Sequence, residues 1–520
     1  MLRVSFVITF LTFKSKCIMN NKNLGKYNLK LLLTAIIFTF FTSAVFPQNI
    51  TKDIRIGLEL CYNFKWKQAE EIFSAMIKDN PENSNGYHFL SGIYLWYYLG
   101  NRDKEDFNSF VKYSDQALET AKAELEQKPL SAYLNYLIGS NYMYRAIAFT
   151  REENYLDAVW ASKKSETYLN TVLEIDPKFS DAYLGLGLYN FAVGQIPSAF
   201  QWALSLAGVQ GDKQVGINFI KKAATQGSLA KVEAQYYLSQ ILAEVLFENE
   251  AALYYLRNLV RRYPDNLLFN YSYAVLEIKE RNLRDSEKIL TKIIASDNPK
   301  FTQIISFSHF LMGDIFFRRN QYDSAKVYYL KFLKSTPTID YTGIASYRLA
   351  LSYELTNDRK NAEKYFNNCG SGNMDLEDDV FAKRRGEIYS RRSLSSNEVH
   401  LVENLNLIES RKYQNAYDSL INLLTGLKKE TLRSEALLYL SEAAFKLGKL
   451  DESLNNALLA KEINSSEEKW IPPFAAYFAA RVYQKKNDKI NLQKMIDDIE
   501  DYSDYDYQNK LKNLLNTISN

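Results

Sequence analysis

Cysteine, histidine and proline are all scarce in this chain of 520 residues, which holds three, three and ten of them. Cys61 and Cys369 lie far apart, and Cys17 falls in an amino-terminal stretch that reads as a leader, so no disulfide framework is expected. Cys61 sits within a helical apolar pattern and reads as a small core residue. His88, His309 and His400 are too widely separated for a local metal motif, and neither a metal nor a cofactor is expected. The sequence also lacks a series of alternating strand patterns bounded by turn pairs, and several of its few prolines fall where helices would end, so it reads as nearly all helical. No Gly-x-Ser-x-Gly elbow, HExxH helix or GxxxxGK[ST] loop is present. The turn from Gly208 to Lys213 is followed by no hydroxyl residue and reads as a plain connection. Carboxylates such as Glu70 and Glu71 read as solvated helix faces, and the chain is not expected to be an enzyme.

No apolar run reaches the usual transmembrane length. Val4 to Phe13 is far too short, and Leu31 to Phe46 falls slightly below it. Lys22, Lys26 and Lys30 precede the second run, and Ser43 and Ala44 lie near its end, which is the layout of a secretory signal. Met19 stands just before it, so the first 18 residues read as an upstream extension. Residues 1–46 are therefore expected to be a leader that exports the chain to the periplasm or cell envelope, the alternative being a retained amino-terminal anchor. The leader holds six of the 64 basic residues and none of the 61 acids, leaving 58 basic against 61 acidic. A near-neutral mature chain lacks the charge footprint of a nucleic-acid binder, so protein or peptide partners are expected, with peripheral membrane association as a further possibility.

What the chain does have is a recurring order of small and large residues. His309, Met312, Gly313 and Phe316 are followed by Ala325, Tyr329, Phe332 and Pro337, the size pattern of the two-helix tetratricopeptide unit. Small residues let two helices approach, rings fill the space around them, and proline ends the second helix. The order returns at Gly57, Ala69 and Phe73, at Ala252, Leu256 and Leu259, and at Ala274, Ser286 and Leu290. Ala350, Ala362 and Phe366 continue it, and Ala416, Leu420, Ser441, Ser453 and Ala457 carry it onward. The expected fold is all-α, a tetratricopeptide-type solenoid forming a right-handed superhelix of antiparallel helix pairs, with a helical insertion near 190–225. Phe107 to Gln127 and Ala132 to Thr150 read as helices longer than the standard unit. The solenoid is expected over 47–368 and again over 400–520, with a charged linker or irregular helix at 369–399. That segment runs Asp375, Glu377, Asp378 and Asp379 and then Lys383, Arg384, Arg385, Arg391 and Arg392, opposite charge blocks of a linker or exposed helix. The acidic, tyrosine-rich run Asp497 to Tyr507 reads as a polar end cap.

The stretch around the insertion resembles a known family. Gly187, Tyr189, Asn190, Ile196, Pro197, Leu206, Gly208, Gly211, Asp212 and Gly216 are similar to the signature of the family named after tetratricopeptide repeat protein 39, which includes a fungal mitochondrial outer-membrane protein linked to inclusion-body clearance. The similarity runs more loosely through Arg257, Tyr263 and Pro264. The resemblance implies a helical-repeat adaptor without catalytic residues. The chain departs from the family in its export signal and at Gly194 and Gln195, so the family's location is not carried over.

In repeats of this class the first helices line a concave groove, and the fifth position of each unit points into it. Tyr237, Tyr271, Phe310 and Tyr347 occupy that position in four successive units, with Phe317 and Arg318 nearby. These six are the candidate protein-binding residues, the alternative being that the rings seal adjacent repeats. The carboxylate clamp of chaperone-binding repeats is not matched, because Ile54 and Leu58 stand where its polar residues would. The chain is therefore expected to be a non-catalytic interaction scaffold. The alternatives are a membrane-associated assembly factor, and an enzyme or small-molecule receptor whose site is assembled from distant residues.

Overall fold

The computed structural model describes residues 52–196, 208–463 and 467–518. The leader lies outside them, as do Pro197 and Leu206 of the glycine-rich stretch and the apolar run through Trp202 to Ala207. The described residues form 24 α-helices and one short 3-10 helix, with no strand among them. Successive helices pack against one another as antiparallel pairs, and the architecture is a tetratricopeptide-type α-solenoid.

The small-and-large order produces this packing directly. A Cβ placed on Gly313 would lie 2.7 Å from the Tyr329 ring, so the bare backbone of the first helix is the notch that receives this ring from the second. Ala325, Tyr329, Phe332 and Met312 are buried around that contact. The pattern repeats at Gly57, where an added Cβ would lie 2.3 Å from Phe73. Where serine replaces the small apolar residue, its hydroxyl bonds across the same gap: Ser286 donates to the Ala274 carbonyl at 3.2 Å, and Ser441 to that of Ser453 at 2.8 Å. The helices are joined by a recurrent tight turn whose central residue is left-handed, with φ near 60° at Phe64, Asn320, Asn357 and Arg411 and 63° at Arg281. Asparagine tolerates that region, while the arginines and the phenylalanine accept roughly 1 kcal/mol of strain each.

Two compact units divide at Leu238 and Ser239, inside the helix Lys231–Glu244. The amino-terminal unit contains the long helices Lys104–Gln127 and Ala132–Arg151, close to the spans expected. It also contains most of the glycine-rich stretch, whose role is close packing. A Cβ on Gly187 would meet Ile220 at 2.5 Å, and one on Gly216 would meet the backbone nitrogen of Phe191 at 2.4 Å. The helices Ala182–Gly194 and Lys213–Gln226 thus touch backbone to backbone. Asp212 caps the second of them by accepting the Val215 N–H at 2.8 Å.

Residues 369–399 lie inside the carboxy-terminal unit and include the helix Glu377–Arg391. Asp379 is fully buried there and accepts the N–H groups of Tyr341, Ile344 and Asn373 at 2.9, 2.8 and 2.8 Å. Those donors open the helix Thr342–Glu354 and cross a connection, so one carboxylate ties this segment to the preceding pair. Replacing Asp379 with Ala leaves two buried donors and one partly buried donor unsatisfied and is expected to lower unfolding stability by about 2–4 kcal/mol in urea titration. Replacing the exposed Asp375 is expected to change it by less than about 0.5 kcal/mol.

Candidate functional site

The helices of the carboxy-terminal unit enclose a cavity of about 470 Å³. Its wall is drawn mainly from the first helices Thr302–Arg318 and Thr342–Glu354 and from Glu377–Arg391, Ser396–Glu409, Glu430–Lys446 and Ile471–Lys485. A concavity of that size lies in the range of ligand and peptide-anchor sites. The wall is aromatic, and the rings interlock. Phe310 lies 5.2 Å from Phe332 and 5.8 Å from Tyr341, and Tyr347 meets Phe366 and Phe381 at 5.9 Å each.

Of the six candidate protein-binding residues, Phe310, Phe317, Arg318 and Tyr347 meet on this wall. Tyr271 is buried in the same unit but does not line the cavity. Tyr237 belongs to the amino-terminal unit, where its ring stands 6.4 Å from that of Trp96. All five aromatic side chains are at least nine-tenths buried, so the rings on the wall also join neighbouring helices.

Sequence position did not reveal the charges set among the rings. Arg281, from a tight turn, binds Glu409 at 2.7 Å and Glu442 at 2.6 Å, and Arg318 reaches Glu409 at 2.8 Å. Arg348 pairs with Asp314, which also accepts the Tyr329 hydroxyl at 2.7 Å. Burial alone would raise the Glu409 carboxyl, but Arg318 and Arg281 outweigh it and hold the group down at about 2. The charge blocks of 369–399 also find partners elsewhere in the unit. Arg385 engages Glu468 and Glu435, and Arg384 engages Glu468 and Asp506. Burial opposes ionisation of Glu468, yet Arg385 and Arg384 keep its carboxyl below the ordinary range. The acidic tail run therefore joins the cavity: Asp506 takes part in this network, and Tyr507 packs its ring 5.2 Å from Phe381. The visible signal was the pairing of arginines in sequence at 318–319 and 384–385; their partners lie from 32 to 122 residues away.

Cys369 is buried, and burial pushes its thiol well above the ordinary range. Among the described residues no group of three or more His, Cys, Asp or Glu side chains is placed to hold a metal ion. No helix among them is long and apolar enough to cross a membrane.

With the paired helices and the cavity in view, comparison with known proteins adds a family likeness. Residues 141–368 match the family model described as Iml2/Tetratricopeptide repeat protein 39. The described residues have the paired-helix fold of tetratricopeptide repeats. The Iml2/Tetratricopeptide repeat protein 39-like stretch includes the glycine-packed helices and Phe310, Phe317, Arg318 and Tyr347 of the wall. No curated protein matches the chain. Solved structures similar to it include yeast Tom70, at 13% identity over 85% of this chain and 98% of that one, with a TM-score of 0.28. Human IFIT1, solved as a dimer with m7Gppp-AAAA, is 13% identical over 80% of this chain and 95% of that one, with a TM-score of 0.31. A chain of the APC/C hetero-tetramer Cut9–Hcn1 is 14% identical over 86% of this chain and 87% of that one, with a TM-score of 0.25.

Glu409 has an acid-side consequence. Its folded-state value of about 2 lies below the unfolded value of about 4.3, so its contribution to stability is fully present above the latter and is lost as pH falls through the former. Glu409→Gln is expected to destabilise the chain at pH 7 and to flatten the loss of stability between about pH 4.5 and pH 2, read by chemical denaturation at stepped pH.

Proposed function

We propose that this chain is a non-catalytic scaffold for protein–protein interaction, and that the cavity of its carboxy-terminal unit receives a segment of the partner. The carrying observation is the composition of the wall: interlocked rings and charges that already have partners, a surface suited to holding apolar side chains rather than to moving protons or electrons. The resemblance over residues 141–368 to a tetratricopeptide repeat family supports this reading. So does the near-neutral balance of the chain beyond its leader, which favours protein over nucleic acid as partner. The basic-then-apolar layout of residues 1–46 supports export, and we assign the mature chain to the periplasm or envelope.

Phe381 and Phe478 are half-buried on the wall, so part of each ring is left to meet a bound segment. After crosslinking in the native cell has identified the partner, Phe381→Ala and Phe478→Ala are each expected to weaken its binding about tenfold with an unchanged helical circular-dichroism spectrum. Unchanged affinity in both variants rejects the cavity as the binding place. Cell fractionation is expected to recover the chain outside the cytoplasm with its first 46 or so residues removed, and an intact cytoplasmic chain rejects export.

A further inference from the structure

In the amino-terminal unit one carboxylate stands among rings without a cation. Glu233, on the helix Lys231–Glu244, is half-buried and, among the described residues, accepts hydrogen bonds from two neutral groups, the Trp96 indole N–H at 3.3 Å and the Tyr144 hydroxyl at 3.2 Å. No lysine, arginine or histidine among the described residues forms an ion pair with it or offsets its charge. In the carboxy-terminal unit, by contrast, Glu409 is met by two arginines and the buried Asp379 by three backbone N–H groups. Leaving a partly desolvated carboxylate without either is costly.

The surroundings explain what would relieve that cost. Trp96 and Tyr144 come from the first helices Ser84–Asn101 and Ala132–Arg151, and both keep part of their surface exposed. The Trp96 ring lies 6.4 Å from that of Tyr237 and 6.5 Å from that of Tyr236, and the Tyr144 ring stacks on His88 at 5.8 Å. The other ionisable groups that sense Glu233 are Cys61, Tyr136, Tyr144 and Tyr237, and burial raises all four, so they stay neutral. Burial lowers the neighbouring His88 to about 3, so it too is uncharged. The negative faces of indole and phenol rings and one carboxylate form a surface complementary to a compact organic cation, whose hydration shell the rings replace.

We propose that Glu233, Trp96 and Tyr144 form a receptor for an alkylammonium group, supplied by a lysine side chain of a bound protein. The identity of this donor rests on the reading of the chain as a protein scaffold, while the receptor itself does not. Trp96 and Tyr144 orient the carboxylate through their N–H and O–H, and the ring faces receive the methylene stem next to the ammonium. Burial holds the Glu233 carboxyl at about 7, so the receptor is charged and competent above that pH and is progressively neutralised below it.

The test uses the full chain and n-butylammonium as probe, with n-butanol as its neutral counterpart and binding followed by heteronuclear NMR at pH 8. Butylammonium is expected to shift the Trp96 indole resonance saturably, with affinity falling about tenfold per pH unit well below 7 and at least tenfold in Glu233→Gln. The pH series on the unaltered chain serves if that variant fails to fold. Equal response to butanol, no response to butylammonium, or affinity independent of pH overturns the receptor. A second arm compares an acetylated lysine-containing peptide with the same peptide carrying norleucine and with choline. Tighter binding of the lysine peptide supports a protein donor, whereas choline binding with no peptide binding overturns that assignment. Partner capture lost in the Phe381 and Phe478 variants while butylammonium still binds separates failure at the carboxy-terminal cavity from failure here, and supports the receptor.

Discussion

A ring entering the space left by a missing side chain is the contact on which the rest of this molecule depends. Tyr329 against Gly313 and Phe73 against Gly57 bring two helix backbones closer than a pair of ordinary side chains would allow. Because the notch and the ring recur at a nearly constant interval, each pair presents the same flank to the next, and the chain is built from local contacts. The glycine-rich stretch is the extreme case: at Gly187 and Gly216 the helices meet with almost no side chain between them. Gly187, Gly194, Gly211 and Gly216 are thus explained by close approach.

Stacking pairs in this way leaves the first helices side by side, and both notable sites lie on them. In the carboxy-terminal unit the wall is stabilised by charge as well as by rings. Arg281 from a tight turn and Arg318 from the end of a helix converge on Glu409, and with Glu442 they tie together helices distant in sequence. Such a network is expensive to desolvate and strongly favours one arrangement once formed, because removing a single member leaves its partners buried and unmatched. In the amino-terminal unit the corresponding acid, Glu233, has rings and neutral donors instead. One fold therefore carries a site whose charge is satisfied internally and another whose charge is not.

Much of the fold was legible in advance. The small positions Ala69, Ala252, Ala325, Ala350, Ala362 and Ala416 are all buried, and the large partners Phe73, Leu256, Tyr329 and Phe366 are buried beside them. The positional argument for the groove was less discriminating. It brought Phe310 and Tyr347 to the cavity but also selected Tyr271, which lines no part of it, and Tyr237, which lies in the other unit. A fifth-position rule assumes that every unit turns by the same amount, whereas the helices here vary from 8 to 24 residues in length.

From the sequence alone came the helical class, the order of helix pairs and the residues that separate them, because each depends on neighbours a few turns apart. The tertiary structure decided where the two compact units divide, which acids and arginines meet across tens to more than a hundred residues, and which carboxylate is left with no counter-charge. Side-chain size is read out locally by packing, but the state of a charge depends on everything that surrounds it after the chain has folded.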